Sequence, residues 1–460
     1  MTDMQGDMRA GDEWGPIAPD FLARVEKALE SGDQKAVRAA TKELHAADLA
    51  DLIQNLEQDH RVKLIAALGR GFDVEALAEL DEDTRDALME ALPNEVIASA
   101  IKKLDTDDAL YLIEDMEKAE QEEILSKVSR EDRAALNRAL DYPEYSAGRL
   151  MQTEFVAVPE FWSVGQTIDH IRAARDIPDD FVEIYVVDPG FHLKGVMPLS
   201  RVLRSKRVAK VSEVMDTEQT VFTVLEQQED IAYKFEQYNL VSAAVVDDAG
   251  RLVGTLMVDD IVDVIQEEAE EDILHLGGVG AEETITDTVW QTTRSRFSWL
   301  LVNLLTAILA SWVISWFDGT IEQMVALAIL MPIVASMGGN AGTQTMTVAV
   351  RALATRNLGP LNAMRVALRE CSVGLINGVL FAAIMGAFAW WWFGSDILGL
   401  VIAAAMVINL LAAALAGILV PLTLDHFDID PAIASGTFVT TVTDVVGFFA
   451  FLGLAAVWLL

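Results

Sequence analysis

The pattern of apolar and polar positions divides the 460-residue chain into three regimes. From residue 19 to about residue 140, apolar residues recur at i, i+3 and i+4, with acidic residues near each start, which predicts short amphipathic helices. HAADLADLIQNL, VEALAELDEDTRDALMEAL, DTDDALYLIEDM and SREDRAALNRAL read as repeats of one small helical unit. Such units stack into a superhelix rather than closing as one bundle. Between residues 154 and 272 the period shortens and a longer repeat appears. IYVVDPGFHLKGVMPLSRVL (184–203) matches AAVVDDAGRLVGTLMVDDIV (243–262), and a strand and helix precede each copy, at 154–158 with 163–175 and at 220–224 with 230–238. The order is therefore β-α-β-β-α, twice. Beyond residue 296 the chain turns apolar over 297–317, 324–350, 373–393, 397–422 and 432–460. About 20 such residues cross a bilayer as a helix, so five spans are expected. The second and fifth exceed that length and are expected to tilt or break.

Composition explains why the averages fit no single class. A net charge of −37 beside 52% hydrophobic residues and a mean hydropathy of +0.29 requires two halves of different chemistry. The acidic half, up to about Glu283, excludes nucleic acid as a partner, since phosphate contacts need Lys and Arg, and suits a protein that handles cations. The lone Cys371 leaves no disulfide framework and no Cys-rich metal site. The first residues, MTDMQGDMRAGDEWG, lack the apolar core of a signal peptide. Arg294 and Arg296 precede the first span, and Arg351, Arg356, Arg365 and Arg369 lie between the second and third. That bias places the N-terminal half in the cytosol and the C-terminus outside, across an inner (plasma) membrane.

Two membrane segments hold residues that could act on ions. Asp444 is the one acid deep inside an apolar span, and a charge there costs at least about 2.5–3.5 kcal/mol. Helical spacing puts Thr437, Thr440, Thr441 and Asp444 on one face. One carboxylate ringed by hydroxyls suits a hard, largely hydrated cation such as Mg2+; the competing reading is an Asp paired with Arg or Asn on a neighbouring helix. In the second span, MPIVASMGGNAGTQT carries Pro332 and the glycines Gly338, Gly339 and Gly342, with Asn340, Thr343 and Gln344 alongside. Either the helix breaks and lines a cavity, or Gly338 and Gly342 form a G-x-x-x-G packing face. Asn303 and Asn409 read as interhelical hydrogen-bond formers.

The tandem repeat resembles a pair of CBS domains. Further, P-x-x-x-x-x-G-G-N-x-G-x-Q at 332–344, RALAT at 351–355 and DPAIASGTFVTTVTDVVG at 430–447 resemble the MgtE-type magnesium channels over nearly the whole chain. The resemblance implies a multidomain α, α/β and membrane protein. Its expected parts are a disordered tail at 1–18, a helical superhelix at 19–142, CBS domains at 143–208 and 209–275, a connecting (plug) helix at 276–296, and a five-helix transmembrane domain at 297–460. It also implies a homodimer in the lipid bilayer whose second and fifth spans line the pore, so that Gly338, Gly339, Asn340, Gln344, Thr437, Thr440 and Thr441 border the path and Asp444 binds Mg2+. Cytosolic Mg2+ is then the signal that closes the pore.

The run VDDIVDVIQEEAEEDILHLGG (258–278) would crowd acids onto one broad helix face. Composition and spacing alone favour a solvated helix face over a cation-binding one. The resemblance implies regulatory Mg2+ ligands at Asp260, Asp263, Glu268, Glu271 and Asp272, with Asp107, Asp108 and Glu75 as the N-domain contributors. Tyr111 stands where a further acid is expected. CBS pairs often bind adenine nucleotides, so ATP is a possible cofactor there, although no residue singles it out.

Two other functions compete with a Mg2+ channel. A CBS-containing nucleotide sensor or scaffold with an inert membrane anchor needs neither Asp444 nor a Gly-rich span. An anion channel would not place an acid in its pore. No nucleophile–base pair, P-loop or zinc motif suggests an enzyme.

Overall fold

The computed structural model describes residues 17–459 except 175–176, 179–180, 281–282, 284–287, 360 and 428. It divides into two compact units, the first ending at Ile265 and the second beginning at Gln266.

The first unit opens with helices α1 (Pro19–Glu30), α2 (Gln34–Thr41), α3 (Ala46–Gln54), α4 (Gln58–Leu68), α5 (Glu82–Ala91), α6 (Asn94–Ile101), α7 (Thr106–Tyr111), α8 (Lys118–Leu125) and α9 (Arg130–Leu140). Sequence marks their starts: Asp33 caps α2 by accepting from Lys35 N and Ala36 N, and Ser129 caps α9 in the same way. Packing is local along the chain, α1 on α2, α2 on α4, α6 on α8 and α7 on α9. One unbroken core nevertheless runs from Phe21 to Ala139. This is the expected superhelix.

The CBS pair follows. After α10 (Ala147–Leu150), β1 (Ala157–Pro159), α11 (Val164–Ala173), β2 (Glu183–Val187), β3 (Leu193–Pro198) and α12 (Leu199–Arg204) form one copy. After α13 (Val211–Val214), β4 (Val221–Thr223), α14 (Gln228–Tyr238), β5 (Ser242–Val246) and β6 (Leu252–Met257) form the other, which continues into α15 (Val258–Leu276). Each sheet pairs its first two strands in parallel and the last two antiparallel, in the orders β1-β2-β3 and β4-β5-β6. The repeated VVD motif is a turn device. Asp188 accepts from Gly190 N and His192 N, and Asp247 from Ala249 N and Arg251 N. Both turns need a left-handed residue, supplied by Gly250 (φ 76°) in the second copy and by Phe191 (φ 66°) in the first. The copies share a core of Tyr185, Val187, Val196, Ala244 and Leu252.

In the second unit, α16 (Val289–Ser315), α18 (Ala326–Ala354), α19 (Ala363–Phe393), α20 (Asp396–His426) and α21 (Pro431–Trp458) supply five segments long and apolar enough to cross a membrane. The short α17 (Asp318–Gln323) occupies a stretch expected to be loop. The plug helix expected at 276–296 is not a separate helix among the described residues. Its first residue closes α15, residues 289–296 are the opening turns of α16, and residues 281–282 and 284–287 lie outside the described residues.

Nor does Pro332 break the second span, because α18 runs continuously past it. The glycines instead bring helices close together. A Cβ at Gly338 would lie 2.2 Å from Asn409 Nδ2, and one at Gly342 would lie 2.6 Å from Val439. Asn409, buried on α20, donates to Val334 O at 2.8 Å. The packing reading of G-x-x-x-G therefore holds. The central α20 packs on α18, α19 and α21, whereas α16 packs mainly on α21.

Candidate cation sites

Asp107 and Asp108 sit in the first turn of α7, and Asp259 and Asp260 in the first turn of α15, which begins directly after β6. These two helix starts share one electrostatic neighbourhood. Both oxygens of Asp107 and Oδ2 of Asp260 are buried with no hydrogen-bond partner. Burial, followed by the charge of Asp260, raises Asp107 well above the usual carboxylate range. Burial and then Asp259 push Asp260 up to about 8, while burial and then Asp105 push Asp108 up to about 6. Glu79 is raised by burial and Asp263, with His45 opposing, and Asp263 by burial and Asp259. Glu75 is exposed at the rim, and its charge raises both Asp108 and Glu79.

Among the described residues, no Lys or Arg forms an ion pair with Glu75, Glu79, Asp107, Asp108, Asp259, Asp260 or Asp263. Asp107, Asp108 and Asp260 are half-buried, with Glu75, Glu79, Asp259 and Asp263 exposed around them, and carboxylates grouped in this way repel one another unless protons or a cation intervene. With oxygen donors only, the fitting cation is hard and divalent, of the Mg2+ or Ca2+ kind. The structure thus brings together Asp107, Asp108, Asp260, Asp263 and Glu75 as expected. It adds Glu79 and Asp259, whose place depends on a tertiary contact that no local spacing encodes.

Glu268, Glu271 and Asp272 lie farther along α15, in the second unit. Glu271 neighbours His275, and His275 neighbours Asp430 at the cap of α21. Neither His275 nor Asp430 was singled out from sequence, because they meet across 155 positions.

In the membrane helices, Asp444 is half-buried on α21, and among the described residues no hydrogen bond or ion pair reaches it. The paired-Asp reading therefore lacks its partner. Thr441 Oγ1 donates to Thr437 O at 2.6 Å, and Thr440 Oγ1 donates to Gly436 O and Thr437 O. Their protons turn inward, leaving oxygen lone pairs for water or a cation. Thr437 Oγ1 donates to Asn303 Oδ1 at 3.1 Å, so Asn303 and Asn409 both bond between helices as expected.

On α18, Gly338 is buried and Gly339 half-buried, but Asn340 and Gln344 are exposed. They extend a line of exposed polar residues, Ser336, Asn340, Thr343, Gln344 and Thr347, at helical spacing on a helix of membrane length. Lipid does not satisfy such a line. It marks a face that water or another protein surface covers, beside α21, on which α18 packs.

Between the CBS copies, a cavity of about 20 Å3 is lined by Glu154, Phe155, Glu183, Tyr185, Ser242 and Thr255, among others. That volume holds about one water molecule. Tyr185 bonded to Thr255, and Ser242 bonded to Glu183, fill what remains.

Comparison with known proteins gives a consistent match along the chain. The family described as "Divalent cation transporter" matches residues 331–454, the MgtE intracellular N domain matches 44–145, and a CBS domain matches 211–267. The magnesium transporter MgtE of Thermus thermophilus is 33% identical over 94% of this chain and 97% of its own. That of Bacillus subtilis is 27% identical over 96% and 98%. Among solved structures, the cytosolic domain of the Mg2+ channel MgtE in complex with ATP is 30% identical, with a TM-score of 0.49, covering 53% of this chain and 99% of that one.

Proposed function

Because the chain belongs to the MgtE family of magnesium transporters, we propose that it imports Mg2+ through a path between two copies of itself and that Mg2+ bound to its own cytosolic acids closes that path. The observation that carries this reading is the polar line on α18, exposed in a single chain at membrane depth. A second copy related by a two-fold axis buries that line around a water-filled path and brings two Asp444 carboxylates near the axis. Mg2+ gives up water reluctantly. Two carboxylates with threonine oxygens below them would hold a hydrated ion through its waters, tightly enough to select it and loosely enough to release it.

Closure follows from linkage. Without Mg2+, the acids of α7 and α15 repel one another or hold protons. With Mg2+, the conformation that brings them together gains the binding energy. In the second unit, Leu276 at the end of α15 packs against Met346 and Val350 of α18 and Ala432 and Val439 of α21. A shift of α15 is therefore felt at the helices assigned to the path. The arginine bias supports a topology with the acidic half in the cytosol and the C-terminus outside.

The test is current through reconstituted protein under voltage clamp, with Mg2+ varied on the cytosolic side. Internal Mg2+ should suppress the current, and Asp444→Ala should abolish it while dimers still assemble. Flux that survives Asp444→Ala would remove the pore assignment, and current indifferent to internal Mg2+ would remove the gating.

A further inference from the structure

The chain holds 71 acidic residues against 34 basic ones, yet one cavity in the helical superhelix has the opposite balance. Arg38, Lys42 and Arg70 border it, against the single acid Asp73. Its volume of about 560 Å3 lies within the roughly 300–1,000 Å3 usual for small-molecule pockets. Two separate elements supply the positive charge. α2 carries Arg38 in its last turn and Lys42 at its C-terminal cap, one helical turn apart on the same face. Arg70 comes from the 3-10 turn Gly69–Gly71 that follows α4. Arg38 is held in place, since its Nε donates to Ala67 O at 2.7 Å, which leaves both terminal nitrogens of the guanidinium unused. Gly69, at φ 57°, puts no side chain in their way; a Cβ there would lie 3.8 Å from Arg38 Nη2. Among the described residues, no carboxylate pairs with Arg38, Lys42 or Arg70.

Cations near a helix C-terminus complement its dipole, which accounts for Arg38 and Lys42 without any ligand. It does not account for Arg70, which belongs to a different element, nor for what lies below the charges. Leu44, Leu49 and Leu68 also line the cavity; Leu49 and Leu68 are buried and Leu44 half-buried, whereas the three basic residues are exposed. An occupant therefore meets cations at the rim and apolar side chains at the floor. Guanidinium forks match the oxygens of a phosphate, and an ammonium adds a point charge. Three positive charges against one negative leave a net of two, which balances the dianion of a phosphate monoester, about −1.5 to −2 near neutral pH. A bare inorganic anion would leave the floor unused, and a neutral apolar molecule would leave the rim unused.

We propose that this cavity binds a small organic phosphate monoester, with the phosphate held by Arg38, Lys42 and Arg70 and an apolar or ring-shaped body resting on Leu44, Leu49 and Leu68. Occupancy would tie α2 to the turn after α4, two elements now joined at this point by the bond from Arg38 to Ala67. None of the acids grouped around α7 and the start of α15 lines the cavity, so binding is expected whether or not the chain passes ions.

The test is equilibrium dialysis of the full-length protein in detergent at fixed Mg2+, with 1-naphthyl phosphate as the fluorescent probe and empty micelles as background. The probe should bind with a Kd below about 1 mM. Inorganic phosphate should displace it only at about tenfold or higher concentration, because it gains nothing from the apolar floor. Arg70→Gln, which removes no hydrogen bond or ion pair among the described residues, should weaken binding at least about tenfold, and Arg38→Gln likewise. Asp73→Asn should act in the other direction, tightening binding about twofold to fivefold by removing the one opposing charge; a variant that merely disturbs the fold does not gain affinity. Probe affinity within twofold of wild type in both arginine variants overturns the proposal, as does inorganic phosphate competing on equal terms. Phenyl phosphate should displace the probe; displacement by soluble dihexanoyl phosphatidic acid alone would overturn a freely diffusing ligand in favour of a lipid headgroup.

Discussion

Two acid clusters in the first unit differ in one respect. Around Arg85, the carboxylates of Asp86 and Asp115 enclose a guanidinium that is 2% exposed and lies 4.0 Å from the ring centroid of Tyr111. Around Asp107 and Asp260, the carboxylates enclose no basic side chain among the described residues. The first cluster carries its own cation and belongs to the fold. The second is complete only with protons or an ion from solution, so it can report on the solution. Acid content alone does not distinguish a structural cluster from a sensing one; the presence of an internal cation does.

The sharpest way to break the contrast is to remove that internal cation. Arg85→Met should destabilise the first unit by about 1–3 kcal/mol, through the lost charge-assisted hydrogen bonds to the half-exposed Asp86 and Asp115 and the lost stacking on Tyr111. Hydrogen exchange of the α5 and α7 amides in the full-length protein measures it, and added Mg2+ should not restore the loss. Full restoration by Mg2+ would mean that the two clusters are interchangeable.

A second effect is expected from pH. Asp260, pushed up to about 8, and Asp108, pushed up to about 6, hold protons that an unfolded carboxyl near 3.8 has released. The folded protein binds more protons in that interval, so its stability without metal should fall as pH rises from about 4 to about 8, by roughly 2–4 kcal/mol. Saturating Mg2+ should flatten the slope, because the ion replaces the protons. Protection of α7 amides that rises with pH in the absence of metal would contradict this.

Asp107→Asn should act in the opposite sense to Arg85→Met. Replacing a carboxyl that the fold forces to take up a proton with a neutral amide should stabilise the metal-free protein near neutral pH by about 1–3 kcal/mol and abolish most of the Mg2+-dependent protection at α7. The smallest effect expected is that of Tyr111→Phe. It loses the hydroxyl donated to Leu80 O at 3.2 Å but keeps the ring under Arg85, for a cost of about 1 kcal/mol or less and no change in Mg2+ response.

How much of this the sequence foretold follows from the range of the interactions involved. Superhelix, repeat and spans were readable because each rests on local periodicity. Asp260, Asp263, Asp107 and Asp108 were readable through a resemblance, and for Asp107 and Asp260 the structure supplies a physical reason, buried oxygens with no partner. Glu79 was invisible because it joins the cluster only through the way its loop packs near α15. His275 and Asp430 were invisible for the same reason, on a larger scale. Pro332 misled in the opposite direction. The helix runs unbroken past Pro332 although the ring removes one backbone hydrogen bond, and the glycines beyond it serve contact rather than breakage.

Asn409 sits where a Cβ on either Gly338 or Gly447 would come within 3 Å of its amide. In mechanical terms it is a key in a double keyway, locking α18, α20 and α21 against sliding. A seam with no slack transmits force rather than absorbing it, so these three helices should travel as one stiff keel. The strain of the opening proposed above would then fall on α16, which packs mainly on α21. Spin-label distances between α18 and α20 should stay fixed when Mg2+ is removed, while those from α16 to α18 change.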